Sequence, residues 1–236
     1  MSISLKRAWA IFVKDYKEFS RNYAVSFSVI VPILFAFLFR SAGPSLPGAI
    51  GFLLNTSFVL LTCLVQACLI AEEKERNTLR SLMMTPATTM DVLIGKSTLV
   101  FVVSAAALTI AIYILGYKPT SMWAFVAAII LSIILYTAAG TICGLFSKTL
   151  LEASLSIMPV ALVFTGAPWG VLLADNFPLF KVLEYAPSVQ LVHLLTLHNA
   201  GFTTGDLLKP LLIMLAWAAL LTIASVMLYQ RRLKDE

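Results

Sequence analysis

Apolar residues in this chain come in long blocks, and the charges fall between the blocks. A bilayer core of about 30 Å takes roughly 20 residues of helix to cross. Six blocks meet or approach that length: residues 24–39, 48–71, 97–117, 122–146, 150–173 and 207–229. The first is short and is closed by Arg40 and the Gly43, Pro44, Pro47 cluster; the second carries no charge; the fifth holds Glu152 close to its start. Ahead of them lies a different pattern. At 100° per residue, Leu5, Ala8, Trp9, Phe12, Val13, Tyr16 and Phe19 share one side of a helix, and Lys6, Arg7, Lys14, Lys17, Glu18 and Arg21 the other. That is the signature of a helix lying in the membrane interface, spanning 1–22, with a soluble amphipathic helix packed on another surface as the alternative. The expected fold is an all-α membrane protein with six transmembrane helices.

Composition agrees. Of 236 residues, 60% are hydrophobic and only 12% charged, about half the charge of an ordinary soluble domain, so a water-soluble enzyme is excluded. The net charge of +5 is explained by position. With the N-terminus in the cytoplasm, 13 of the Lys and Arg residues fall on the inner side and 4 on the outer, as the inside-positive bias requires. Both termini are therefore expected in the cytoplasm, and nucleic acid is not an expected partner. Cys63, Cys68 and Cys143 sit in apolar runs with no ligand spacing, and read as packing residues. His193 and His198 with Asp175 and Glu184 match no standard metal pattern, so no metal site is expected. There is no Gly-x-Ser-x-Gly elbow, and no cleavable leader is evident.

Between the second and third blocks the chain reads Glu72-Glu73-Lys74-Glu75-Arg76-Asn77-Thr78-Leu79-Arg80-Ser81-Leu82-Met83-Met84-Thr85-Pro86, then runs to Gly95-Lys96. The segment 72–96 is longer than a hairpin needs. It reads as a short charged helix with an apolar patch at Leu79, Leu82 and Met83, a break at Pro86, and a second short helix capped by Thr88 or Thr89. Such a piece is either a rigid knob for another protein to grip or a solvated loop. Gly95-Lys96-Ser97 ends like a phosphate-binding loop, but Met90 stands where its first Gly belongs and no strand precedes it. Lys96 is expected to mark the water boundary.

The segment resembles the signature loop of ABC-2 type transporter permeases, at Glu73, Lys74, Glu75, Arg76, Thr78, Leu79, Leu82, Thr85, Pro86, Gly95 and Lys96, with departures at Asn77 and Arg80. The later part of the chain is similar as well. Thr165-Gly166-Ala167-Pro168 interrupts the fifth block, and Pro178 and Pro187 frame an external helical hairpin over 174–206, with His193 where the family often has Arg. The resemblance implies a single transmembrane domain over 1–236 that serves as the permease subunit of an ATP-driven exporter in the plasma membrane. Its partners would be an ABC ATP-binding subunit, which would carry ATP and Mg, a second permease copy or related permease, and membrane lipid. The chain itself would need no cofactor. Glu72, Glu73, Lys74, Glu75, Arg76, Thr78, Leu79, Leu82, Thr85 and Pro86 would form the docking surface. Asn55, Thr62, Gln66, Gly166, Pro168, Pro187 and His193 would line the path or its gate, although Asn55, Thr62 and Gln66 also suit plain helix-to-helix hydrogen bonding. Glu152 is expected to pair with Lys148. The alternatives are a passive channel or scaffold, and an intramembrane enzyme using His193 or Glu152.

Overall fold

A computed structural model describes residues 4–41, 47–76, 88–174, 177–197 and 204–235. They form helices, with no strand among them. In chain order these are α1 (Leu5–Arg21), α2 (Tyr23–Arg40), α3 (Gly48–Glu75), α4 (Thr89–Leu115), α5 (Met122–Phe146), α6 (Leu150–Val171), a 3-10 segment (Pro178–Tyr185), α7 (Pro187–Thr196) and α8 (Thr204–Asp235). Six of them, α2 to α6 and α8, are long and apolar enough to cross a membrane.

Helix α3 is the axis. Nearly all of it is enclosed, whereas α2, α6 and α8 keep most of their surface outward. Its closest neighbour is α5, and the approach depends on missing side chains. A Cβ on Gly140 would run into the Cys63 carbonyl, and one on Gly144 would lie 2.7 Å from the Ala67 carbonyl oxygen. Gly140 and Gly144 are four residues apart on one face, the spacing that lets membrane helices touch backbone to backbone. At the same level α3 widens into a π-helical turn over Phe58–Cys63, and Phe58 stacks on Tyr136 of α5 at 5.3 Å between ring centroids. Helix α8 lies along α5, α1 crosses α4, and α7 wedges between α8 and the first turns of α3.

Three features differ from the sequence reading. First, α4 begins at Thr89 rather than near residue 97, so the short helix and the third span are one continuous helix. Thr88 caps it: its Oγ1 accepts the Asp91 N–H, and the Asp91 carboxylate accepts the Thr88 N–H. Second, α6 breaks at Ile157, where Pro159 restarts the helix, and not at Gly166 and Pro168. The helix runs straight through Pro168, and Gly166 stands in open space. Third, α1 has two working faces rather than one. Ala8, Ile11, Asp15 and Phe19 are buried against the rest of the chain, while Leu5, Trp9 and Tyr16 point outward, with Trp9 stacked on Phe12.

Candidate functional site

The buried face of α1 carries a carboxylate. Asp15 sits in line with Ile11 and Phe19, and it is fully enclosed where α1 meets α3 and α4. Facing it is Lys96 of α4, also with no exposed surface. The Lys96 ammonium has three donors and three acceptors around it: Asp15 Oδ2 at 3.1 Å, Glu73 Oε1 at 2.9 Å and the Leu69 carbonyl at 3.2 Å. Lys14 closes the group from the rim, 2.8 Å from Glu73 Oε1, 3.3 Å from Asp15 Oδ1 and 3.4 Å from Glu18 Oε2. Lys14, Asp15, Glu73 and Lys96 thus form a charge-balanced cluster of two cations and two anions. Burial pushes the Asp15 carboxyl above its usual range, against the pull of Lys96 and Lys14. Burial works to lower the Lys14 ammonium, but Glu73, Asp15 and Glu18 outweigh it and hold it above its ordinary value.

The rest of the acidic-basic run at the end of α3 reaches other helices. Glu72 is paired with Arg76 one turn on, at 2.6 Å. Lys74 donates to the Leu145 carbonyl at 2.7 Å and the Ser147 carbonyl at 2.8 Å, closing the C-terminal end of α5. The Glu75 carboxylate accepts the Leu150 N–H at 2.9 Å, at the first turn of α6. Unsatisfied carbonyls at a helix end attract cations and unsatisfied N–H groups attract anions, so these two side chains each sit where the field favours them. A second tie binds α1 to α4: Asp91 accepts from the Ser4 N–H at 2.8 Å and from Arg7 Nε at 2.7 Å. The ends of five helices, α1, α3, α4, α5 and α6, are therefore fastened into one hub of charged and capping contacts.

The expected docking residues divide on this map. Glu72 and Glu73 are buried, and Glu73, Lys74 and Glu75 are engaged with other helices; Arg76 is exposed. Thr78, Leu79, Leu82, Thr85 and Pro86 lie outside the described residues. Residues 77–87 follow Arg76 and precede Thr88 in the sequence. Lys96 does not mark a water boundary; it is a buried partner in the cluster. Sequence reasoning misses Asp15 and Asp91. The signal for the first is a carboxylate placed in register with an apolar stripe, at Ile11, Asp15 and Phe19.

The expected path residues fall in two sets. Asn55, Thr62 and Gln66 lie on α3 and are buried. Each reaches a different neighbour: Asn55 Nδ2 to the Ser188 carbonyl at 3.3 Å, Thr62 to Ser104 of α4 at 2.9 Å, and Gln66 Nε2 to Thr141 of α5 at 3.0 Å. Gly166 and Pro168 lie on α6, Pro187 starts α7, and His193 is exposed on α7. The structure does not bring these four together with the α3 set around one cavity. Glu152 is exposed, and its carboxylate takes the backbone N–H of Lys148 at 2.7 Å. It works as a cap for α6 beside Thr149, whose hydroxyl accepts the Glu152 N–H. Among the described residues no group of three or more His, Cys, Asp or Glu is placed to hold a metal.

A comparison with curated proteins finds no match. The family model for the ABC-2 family transporter protein matches residues 14–227. That match takes in five of the apolar helices whole and the sixth up to residue 227, together with the described hub from residue 14 onward, and the chain belongs to the ABC-2 family of membrane transporter proteins.

Proposed function

We propose that this chain is the permease subunit of an ATP-driven exporter, and that the hub with its 77–87 loop is where the motor engages it. The observation that carries the reading is the attachment of that loop. It is flanked on one side by the end of α3, which is tied to α1, α5 and α6, and on the other by the capped start of α4, which is tied to α1 and, through Lys96, to α3. A push on such a loop moves five helix ends together. A loop held only by its own two helices would dissipate the same push. The sequence carries no complete phosphate-binding loop, so the energy would come from a separate ATP-binding subunit that holds ATP and Mg.

In this reading Arg76, Thr78, Leu79, Leu82, Thr85 and Pro86 meet the ATP-binding subunit. Glu72, Glu73, Lys74 and Glu75 stand behind them and pass the displacement on. Both termini and the hub face the cytoplasm, as the distribution of Lys and Arg suggests. The 3-10 segment and α7, with Pro187 and His193, lie at the outer face with the end of α6, where Gly166 and Pro168 stand. A second permease copy or a related chain completes the path, which opens as the assembly alternates between states of different ligand affinity. The sparse charge of the spans suits a hydrophobic or amphipathic cargo such as a drug, an antimicrobial peptide or a lipid.

The burial of Glu73 matters for the experiment. Reversing its charge breaks the cluster from inside and so reports on hub integrity, not on docking. Docking is tested at the loop. In vesicles carrying this chain and its ATP-binding subunit, substitution of Leu79 and Leu82 by Asp should abolish ATP-dependent movement of a hydrophobic dye while the permease remains folded. Movement that continues after ATP is removed would instead favour a passive channel.

A further inference from the structure

Away from the charged cluster, the hub-side halves of α4, α5 and α8 line a cavity of about 230 Å³ that is open on one side. Leu93 and Phe101 of α4, Ile134 and Ala138 of α5, and Thr222 and Val226 of α8 are among its walls. A shallow groove adjoins it on the surface of α4, lined by Ile94, Ser97, Thr98 and Phe101. Most of its exposed wall is apolar, although Ser97, Thr137, Thr141, Thr222 and Ser225 also line it. The Thr141 hydroxyl is bonded to Gln66 and to the Thr137 carbonyl, and Ser225 donates to the Thr222 carbonyl, while the Thr137 and Thr222 hydroxyls are buried. A mostly apolar cavity accepts an apolar guest; one of about 150 Å³ already takes benzene.

The length of its α4 wall suits a lipid chain. Met90 and Phe101 stand at its two ends along α4, eleven residues apart, which is about 16 Å of helix. One leaflet's share of a hydrocarbon core is about 15 Å. The end at Met90 lies beside Asp91 and its Arg7 partner, where the helix enters the charged hub, so a molecule lying in the cavity has its polar end at headgroup depth. The geometry points to a site for one acyl chain of a phospholipid from the leaflet at the hub end, seated between α4 and the α5–α8 pair. The packing of α4 on α5 is thin compared with that of α8 on α5, and the acyl chain fills the gap between them. This site stands independently of the transport reading, since its occupancy is tested on the chain alone, without an ATP-binding subunit or transport.

The test uses tryptophan quenching in delipidated, detergent-solubilised protein. Phe101→Trp places a reporter in the wall, and Ile130→Trp places one on the exposed face of α5, outside the cavity. Phosphatidylcholine with brominated chains is titrated at a few molecules per protein, with the unsubstituted chain as the baseline for the native tryptophans. The expected result is saturable quenching in the Phe101→Trp variant at about one lipid per chain, at least fivefold greater than in the Ile130→Trp variant. It should be lost when Ala138→Leu fills the cavity. Equal, non-saturating quenching of both reporters overturns the site. A brominated alkyl maltoside that quenches the wall reporter as well as the phospholipid does overturns the lipid assignment. If Ala138→Leu does not fold, the comparison of the two reporters still decides the matter.

Discussion

Lys96→Met removes the cation at the centre of the hub. Its three acceptors lose that donor, and two carboxylates, Asp15 and Glu73, remain enclosed with the half-buried Lys14 beside them. Breaking a buried ion pair from one side costs on the order of 3 to 5 kcal/mol, because the orphaned charge stays in a poorly solvated place. For a chain of this size that corresponds to a fall of roughly 6 to 20 °C in melting temperature. Asp15→Leu combined with Lys96→Met removes one charge of each sign and leaves the Lys14–Glu73 pair neutral. Replacing a buried pair by apolar side chains is often close to neutral, so the double variant should melt within about 1 to 2 kcal/mol of the parent. The coupling between the two sites should then be at least about 2 kcal/mol. A thiol-reactive fluorogenic maleimide provides the assay, since Cys63 and Cys68 are buried and become reactive on unfolding. A Lys96→Met loss below about 1 kcal/mol, or a double variant whose loss equals the sum of the singles, would refute a closed, charge-balanced cluster.

Other outcomes follow from the same structure. Thr88→Ala should remove the cap of α4 at a cost of about 1 kcal/mol, read as faster amide hydrogen exchange in the turn over 89–93 and a lower melting point. Gly140→Ala should destabilise the chain by about 1 to 3 kcal/mol through collision with the Cys63 carbonyl. Gly166→Ala, in open space within a helix, should raise stability by up to about 1 kcal/mol; if it raises stability and abolishes transport, Gly166 has a role beyond the fold. Thr62→Val should cost about 0.6 kcal/mol, the usual worth of one hydrogen bond between membrane helices, and Ser104→Ala should add little once Thr62 is gone.

Much of this architecture is readable from the chain because lipid imposes a crude rule: a charge-free stretch of the right length becomes a span. The rule fails where charges are satisfied from inside. Asp91 and Lys96 look like loop residues by hydropathy, yet both are paired within the protein, so α4 starts eight residues earlier than the apolar block. The amphipathic pattern of α1 sorts residues into an oily side and a charged side, and so hides Asp15 on the buried face. Helix α1 has to serve protein and lipid at once, which no single periodicity describes. Glu73 and Lys96 are 23 positions apart and Asp15 is 58 before Glu73; only the packing of α1, α3 and α4 joins them. The spacing of Gly140 and Gly144, by contrast, is itself a sign of close helix approach, and Pro159 is the local sign of the break in α6.

If a nucleotide-driven subunit grips the segment over residues 77–87, it should travel with an affinity-tagged copy of this chain extracted in mild detergent from its native membrane. An ATP-binding subunit is then expected in equal amount with the parent chain. Leu79→Asp with Leu82→Asp should abolish its recovery, while the doubly substituted chain melts like the parent. An ATP-binding subunit recovered equally by both chains, or absent from a parent complex that still moves substrate, would show that the segment is not where the motor takes hold.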